Sequence, residues 1–413
     1  MVRISIILLC LALAPALDVG AQGPVQPRVT LDDVVALAVR DNRTLRAKQH
    51  EYLATRANEI TAGLRPNPVA TWVADQYGNR NVDPEHTVTL GQPIELGGKR
   101  DRRLDSARAA TRVTEFELAD VRRQVVALVK KTFTDVLVGQ ATLDLARENL
   151  RSLDEVERIQ RFRAERGDIS ELELIRIQVQ RFAFERDAAD AVQAIRTAKI
   201  GLRALAGLDG LAADFEVAGD LGFRDRPFDR DELYRLTIAN RPDVRAAEAA
   251  REKARADVNL ARANAWWDFT PQLEYKRTGP FDTFGFGVSI PLRVFDRNQG
   301  EIARTRAEVD RAEALRQASA LQALADVDTA LAGVVTSREK VIALRDTYLP
   351  KALRVRETVE FAYRRGGVSL LDFLDAQRTY RETAVEHIRS VGAFWSAYYQ
   401  LEAAVGGSLE PPR

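Results

Sequence analysis

Side chains able to do chemistry are few in this chain and poorly spaced for it. His50, His86 and His387 are its three histidines, and none stands at ligand spacing from another metal-binding group. No nucleophile comes with a partner base, and no glycine-rich loop is built to cradle phosphate. An enzyme set in a helical bundle would use inward-facing Glu-x-x-His sets, and no Glu-x-x-His occurs. The carboxylates that stand out are Asp372 and Asp375, just after Ser369. Ser369 with Asp372, and Ser170 with Glu173, each spell a capping box, and acids in a first helical turn favour the helix dipole. The expectation is a protein without catalysis, cofactor or resident metal.

What positions these residues is a repeat. Around Gly167 the chain reads Phe162-Arg163-Ala164-Glu165-Arg166-Gly167-Asp168-Ile169-Ser170; around Gly366 it reads Phe361-Ala362-Tyr363-Arg364-Arg365-Gly366-Gly367-Val368-Ser369. Gln178 and Gln377 follow at that same offset, and Leu45-Arg46-Ala47 matches Val244-Arg245-Ala246 upstream. Two copies of a long unit are joined: 22–205 and 230–405, with a mixed connector at 206–229 and a tail at 406–413. Neither copy looks able to bury a core alone.

The 413 residues carry 61 basic and 60 acidic side chains, a net charge of +1, dispersed along the chain. Dispersed charge reads as a solvated, salt-bridged helical surface and argues against a nucleic-acid partner. The N-terminus has the form of a signal peptide over 1–21: Arg3, an apolar run from Ile4 to Ala14, and Val19-Gly20-Ala21 before Gln22. Cys10, the one cysteine, falls inside that run, so a mature chain uses no disulfide. A lipid on Cys10 is disfavoured because almost no apolar segment precedes it.

No later stretch reaches the ~18 consecutive apolar residues of a membrane helix. Long helical patterns take their place. From Lys99 to Arg166 there is no proline and a single glycine, Gly139. Val121, Val125, Leu128 and Val129 recur at helical spacing, and Leu143, Ala146, Leu150 and Leu153 as a seam. Such a helix would run about 100 Å. A copy spans Asn298 to Arg365, interrupted at Gly333 and Pro350. Shorter helices follow, near Ser170–Leu205 and Ser369–Val405, and others precede, near Leu45–Leu64 and Val244–Ala265.

Between them lie two hairpins. Phe269–Lys276 and Thr283–Ile290 alternate strictly, with Phe284, Phe286, Val288 and Ile290 on one face and Thr283, Gly285, Gly287 and Ser289 on the other. Val69–Tyr77 and His86–Ile94 alternate more weakly. The turns are placed at Gly78–Pro84 and Arg277–Pro280. Large apolar groups opposite small polar ones suit a strand with lipid outside and water inside. A strand pair capping an ordinary core has the same pattern, and alternation alone does not separate the two. The strand count adds a constraint. Four strands cannot close a barrel, and a membrane tolerates no open edge. If these strands lie in a membrane, several chains must share one barrel: two would give a filled interior, three an aqueous lumen.

These residues resemble the TolC family of outer-membrane efflux channels over the whole mature chain. The resemblance rests on Gln92-Pro93-Ile94-Glu95-Leu96-Gly97-Gly98-Lys99-Arg100 and on Ile290-Pro291-Leu292 with Asp296-Arg297-Asn298-Gln299-Gly300-Glu301-Ile302. It rests also on Tyr363–Gly366 through Leu371-Asp372-Phe373-Leu374-Asp375-Ala376-Gln377-Arg378. The Glu-Leu-Gly-Gly-Lys-Arg run is similar to the cobalt–zinc–cadmium and copper branch. The resemblance implies a mainly α fold with a small β part. Three chains would form a twelve-stranded outer-membrane β-barrel on a periplasmic α-barrel. It implies a passive duct exporting heavy-metal cations, with a periplasmic adaptor (a membrane fusion protein) and an inner-membrane pump of the resistance-nodulation-division type. A type I secretion conduit or multidrug duct is the alternative within transport, and a periplasmic coiled-coil scaffold the alternative outside it.

By position, the adaptor-docking tips map onto Gly167, Asp168, Ile169 and Ser170, and onto Gly366, Gly367, Val368, Ser369 and Leu370. Glycine also ends helices in a left-handed conformation, and a well-capped tip serves both readings. Asp372 and Asp375 match the family's periplasmic ring of aspartates, and three copies would favour cations at the mouth. The competing reading is a solvated helix start. Trp72, Trp266, Trp267 and Tyr275, placed at or beside strand ends, suit either the membrane–water boundary or packing at the barrel-to-helix joint.

Overall fold

The computed structural model describes residues 28–78, 81–208 and 210–409; the expected leader and Cys10 lie outside them. The long helices form because 67 residues, Lys99–Glu165, pass without a proline, and this helix, α3, is about 100 Å long. Before it come α1 (Leu31–Asp41) and α2 (Arg43–Ala62); after it comes α4 (Glu171–Ala206). The second repeat supplies α5 (Arg230–Asn240), α6 (Pro242–Asn264), α7 (Gln299–Ala343), α8 (Leu349–Arg364) and α9 (Leu370–Val405). Helix α3 packs along α2, α4, α6 and α9, and α7 along α6 and α9.

The second long helix departs from expectation at one of its two suspected breaks. Gly333 stays in regular helix facing Ala397. Pro350 is accommodated by a π turn over Leu344–Tyr348, which widens the helix just before the proline ring would meet the backbone one turn back. The helix taken through this turn, Gln299–Arg364, contains an 18-residue window of mean hydropathy 1.2, enough by composition to cross a membrane. Its Asp326 and Asp328 are paired with Arg241 and Arg230 from neighbouring elements, as suits a packed rod.

Three buried clusters lie along the rods. Val129, Phe133, Leu202 and Phe215 belong to the first; Val327, Val334, Phe394 and Leu401 to the second. The third, at the hairpin ends, joins both repeats through Leu153, Ile177, Phe184, Tyr363 and Phe373. Each large side chain so buried contributes about 1.5–3 kcal/mol. On α3 the buried seam runs Ala146, Asn149, Leu153, Val156, Gln160. It passes through Asn149 where the sequence pattern favours Leu150.

The strands β2 (Val69–Asp75), β3 (Glu85–Gly91), β5 (Thr270–Thr278) and β6 (Phe281–Ser289) form one antiparallel sheet in the order β2-β3-β5-β6. A two-residue β1 (Arg28–Val29) pairs in parallel with β4 (Glu216–Val217) mid-rod. The β5–β6 turn is only Gly279-Pro280, tighter than the sequence suggests, with Gly279 at φ 56°. Pairs Trp72–Val88, Val88–Tyr275, Tyr275–Phe284 and Leu90–Leu273–Phe286 fix the register. Because side chains alternate, one face carries Ala70, Trp72, Ala74, Val88, Leu90, Leu273, Tyr275, Phe284, Phe286 and Val288, with His86, Arg277 and Asp282 at its turn end. The other carries Thr71, Asp75, Glu85, Thr87, Thr89, Gln272, Glu274, Lys276, Thr283 and Ser289, together with Val69, Val73 and Phe281. Register thus extends one strand's alternation to the whole sheet, including the weakly patterned β2 and β3.

The Glu95–Arg100 run is the joint between sheet and rods. Gly97 has φ 70°, and a Cβ there would come within 2.7 Å of Trp266. Lys99, nearly buried, donates to Asp268 at 2.5 Å, and Asp268 also accepts from the Leu96 amide. Arg103 forks onto Glu95, while Arg100 donates to the Gly63 carbonyl at 2.6 Å. These groups are occupied in fixing a bend.

Candidate gate and docking tips

Each hairpin turns by the same hydrogen bonds. In the first, Gly167 donates to the Ala164 carbonyl and Asp168 to that of Arg163, both at 2.9 Å; in the second, Gly366 donates to Tyr363 at 2.9 Å and Gly367 to Ala362 at 2.8 Å. Gly167 and Gly366 have φ of 75° and 76°, a conformation costly for residues with a Cβ. An arginine lies over an exposed phenylalanine at each tip: Arg166 on Phe162 at 4.1 Å, Arg365 on Phe361 at 4.0 Å.

The helix starts beyond the turns differ. Ser369 and Asp372 form the full box: Asp372 N donates to Ser369 Oγ at 3.2 Å, and Ser369 N and Oγ donate to Asp372 Oδ2 at 3.1 and 2.7 Å. Ser170 caps alone, accepting from the Leu172 amide at 3.1 Å, and the expected box with Glu173 is absent. The Ser369 hydroxyl, then its amide, hold Asp372 below the usual carboxylate range. Asp375 accepts from Arg378 at 2.6 Å. Asp372 and Asp375 stay exposed beside exposed Leu371, while Phe373, Leu374 and Leu370 are buried.

The two tips are tied within one chain. Tyr363 stacks on Phe373 at 4.9 Å, and burial pushes its phenol up to about 12. Arg364 on α8 reaches Glu155 on α3 at 3.7 Å. Within the first hairpin, Arg181 on α4 bridges Asp154 and Glu157 of α3 and Glu185 of its own helix. Val368 packs on the shared core and Ile169 is half-buried.

The predicted aromatics are dispersed. Trp72 and Tyr275 lie inside β2 and β5, on the apolar face, not at strand ends. Their placement follows from strands that centre on these residues. Trp72 stacks on His86, and Tyr77 and His86 share a 2.8 Å hydrogen bond, so His86 is engaged with rings near the hairpin end. Trp266 and Trp267 follow α6 at the joint, Trp266 against Gly97. Phe284, Phe286, Val288 and Ile290 are all exposed, the two phenylalanines at 77 %. Ile290 lies one residue past β6. Among the described residues no group of three or more His, Cys, Asp or Glu side chains is arranged to hold a metal.

Long rods carrying an open sheet with one exposed apolar face define a protomer of a membrane channel. The chain belongs to the outer membrane efflux protein family, matching it over residues 37–208 and 233–407. It is 28 % identical over 404 residues to the cobalt-zinc-cadmium resistance protein CzcC of Cupriavidus metallidurans, covering 96 % of this chain and 93 % of that one. To the pyoverdine export outer membrane protein OpmQ of Pseudomonas putida it is 26 % identical, covering 92 % and 86 %. The fold matches the outer membrane protein VceC of Vibrio cholerae with a TM-score of 0.78 at 18 % identity, over 92 % and 97 % of the two chains. The protein is thus an outer-membrane efflux channel reaching into the periplasm, an exit duct without catalysis that works with an adaptor and an inner-membrane pump.

Proposed function

We propose that three copies of this chain close one twelve-stranded barrel in the outer membrane and continue it as a helical tube. The observation that carries this is the sheet. Its β2 and β6 each have a single neighbour within the chain, and its one apolar face is solvent-exposed. Unpaired edges in lipid cost several kcal/mol per group, and sharing strands with further copies removes them.

In this reading the packing that ties the tips together is the closed channel. The ring formed by Asp372 and Asp375 is its cation-attracting mouth. Gly167–Ser170 and Gly366–Leu370 are the knobs that meet the adaptor, and the pump is of the resistance-nodulation-division type. The cargo is heavy-metal cations; likeness to CzcC along nearly the whole chain supports that class. OpmQ supports a second reading, an organic cargo. Deleting the protein and measuring tolerance separates them: loss of zinc, cobalt or copper tolerance supports the first, and unchanged metal tolerance with lost dye or drug tolerance supports the second. Ion conductance of the purified protein in a planar bilayer tests the channel itself, and a membrane left without conductance would refute it.

A further inference from the structure

Buried polar side chains in this protein differ by height, apart from Glu157, which lies near the first tip and is bonded to Arg161, Gln178 and Arg181. Those far from the tips are bonded. Thr111, Thr134, Thr237, Thr305 and Ser337 each donate to a carbonyl one turn back. Asn42, Lys99, Arg241 and Glu402 have side-chain or backbone partners. Asn149, Gln160, Gln377 and Ser390 are as buried, at 2–4 % exposure, and each has a buried polar atom with no protein partner. Arg356 Nε, Arg381 Nη1 and His387 Nε2 share that condition. All seven residues lie within about 30 Å of the tips along their helices. In the rest of the described chain only Arg251 Nε is in this state.

A second feature marks the upper limit of this region. Asn149 and Tyr348 occupy the same position in the two repeats, at the offset of Gly167 and Gly366. Tyr348 closes the π turn. On α9, His387 and Ser390 stand about as many residues from their tip as Tyr348 does. One long helix carries an unpartnered asparagine in its seam where the other carries a π turn, a feature frequent at functional sites and at helix kinks.

We propose that Asn149, Gln160, Gln377 and Ser390 are gate-positioning residues. They keep the tied-tip packing weaker than an apolar seam, so that the lower hairpins can repack about the level of the π turn. The inference rests on the reading that the tied tips are the closed gate. An apolar group in the same seam has no polar atom to leave unpaired, so it favours the observed packing.

The test uses the purified assembly in planar bilayers. Asn149→Leu, Gln160→Leu, Gln377→Leu and Ser390→Ala together should lower open probability at least about tenfold and raise the melting temperature. Thr134→Val and Thr305→Val, in the upper seams, should leave gating unchanged. Unchanged open probability in a folded quadruple variant would overturn the proposal. Hydrogen exchange on the unaltered protein guards against a variant that fails to fold. Amides of 149–165 and 348–390 should exchange at least about tenfold faster than those of 101–140 and 301–343; equal protection would overturn it equally. Arg364→Ala separates the two layers of argument. If it opens the channel and the seam variants do nothing, only the seam proposal fails; if it leaves gating unchanged as well, the gate reading fails with it.

Discussion

Asn42 and Arg241 hold the same place in the two repeats and close them in the same way. Each is buried between two helices, α1 and α2 or α5 and α6. Asn42 Nδ2 donates to the Leu205 carbonyl at 2.9 Å, and Arg241 Nη1 to the Ala404 carbonyl at 3.4 Å. The following glycines, Gly207 and Gly406, have φ of 83° and 82° and lie against Asp41 and Arg241 backbone. So the end of each repeat is pinned to its beginning, mid-rod.

The two pins differ in charge, which predicts unequal losses. Arg241 also bonds Asp326 and Asp243. Arg241→Ala leaves Asp326 without its ion-pair partner, with only Gln322 donating to it, and should cost about 2–3 kcal/mol. Asn42→Ala removes a helix cap and one further bond and should cost about 1–2 kcal/mol. Denaturant melts of the detergent-solubilised variants check the order.

The apolar sheet face should be intolerant of charge. Phe286→Asp places a carboxylate where lipid is expected and should reduce outer-membrane insertion, while Thr283→Asp on the opposite face should not. The ratio of membrane-embedded to soluble protein after fractionation reports this. Equal insertion of both variants would contradict the assignment of faces.

The proposed gate role of Asp372 and Asp375 is separable from helix capping. Asp372→Ala with Asp375→Ala should weaken block by multivalent cations added from the periplasmic side. Ser369→Ala should leave that block intact, because both carboxylates remain, yet weaken the start of α9 by about 1 kcal/mol. Asp372 is held below its ordinary range, so its cap contribution is full above about pH 4 and is lost as pH falls through its folded value. Block unchanged in the double variant would mean that these acids serve the helix alone.

His387 supplies a second pH dependence. Burial, then the Arg345 charge, hold its imidazole below the ordinary value. The fold therefore favours the neutral ring. Stability is full above about pH 6.5 and falls as the medium is acidified toward the folded value. Melting temperature measured from pH 7.5 to 5 should decline, and His387→Leu should flatten that decline.

Much of this was legible because period and punctuation agree. Prolines and glycines bound the helices, and the two tips repeat residue by residue. The apolar sheet face was readable on β6, where Phe284, Phe286 and Val288 alternate with small or polar residues, and unreadable on β2 and β3, where only register with β5 reveals it. Sequence also placed the seam on Leu150, since apolar spacing cannot announce that Asn149 is the buried member. Likewise, Gly97 reads as a motif glycine until Trp266, distant in sequence, is seen against it. The proposed ring of Asp372 and Asp375 would belong to an assembly of several chains, which one chain cannot display.

The central claim is a barrel shared among copies. Its most direct test is the mass of the protein extracted from the outer-membrane fraction in mild detergent. The account predicts a particle holding three chains. A periplasmic monomer or dimer, never membrane-embedded, would contradict it.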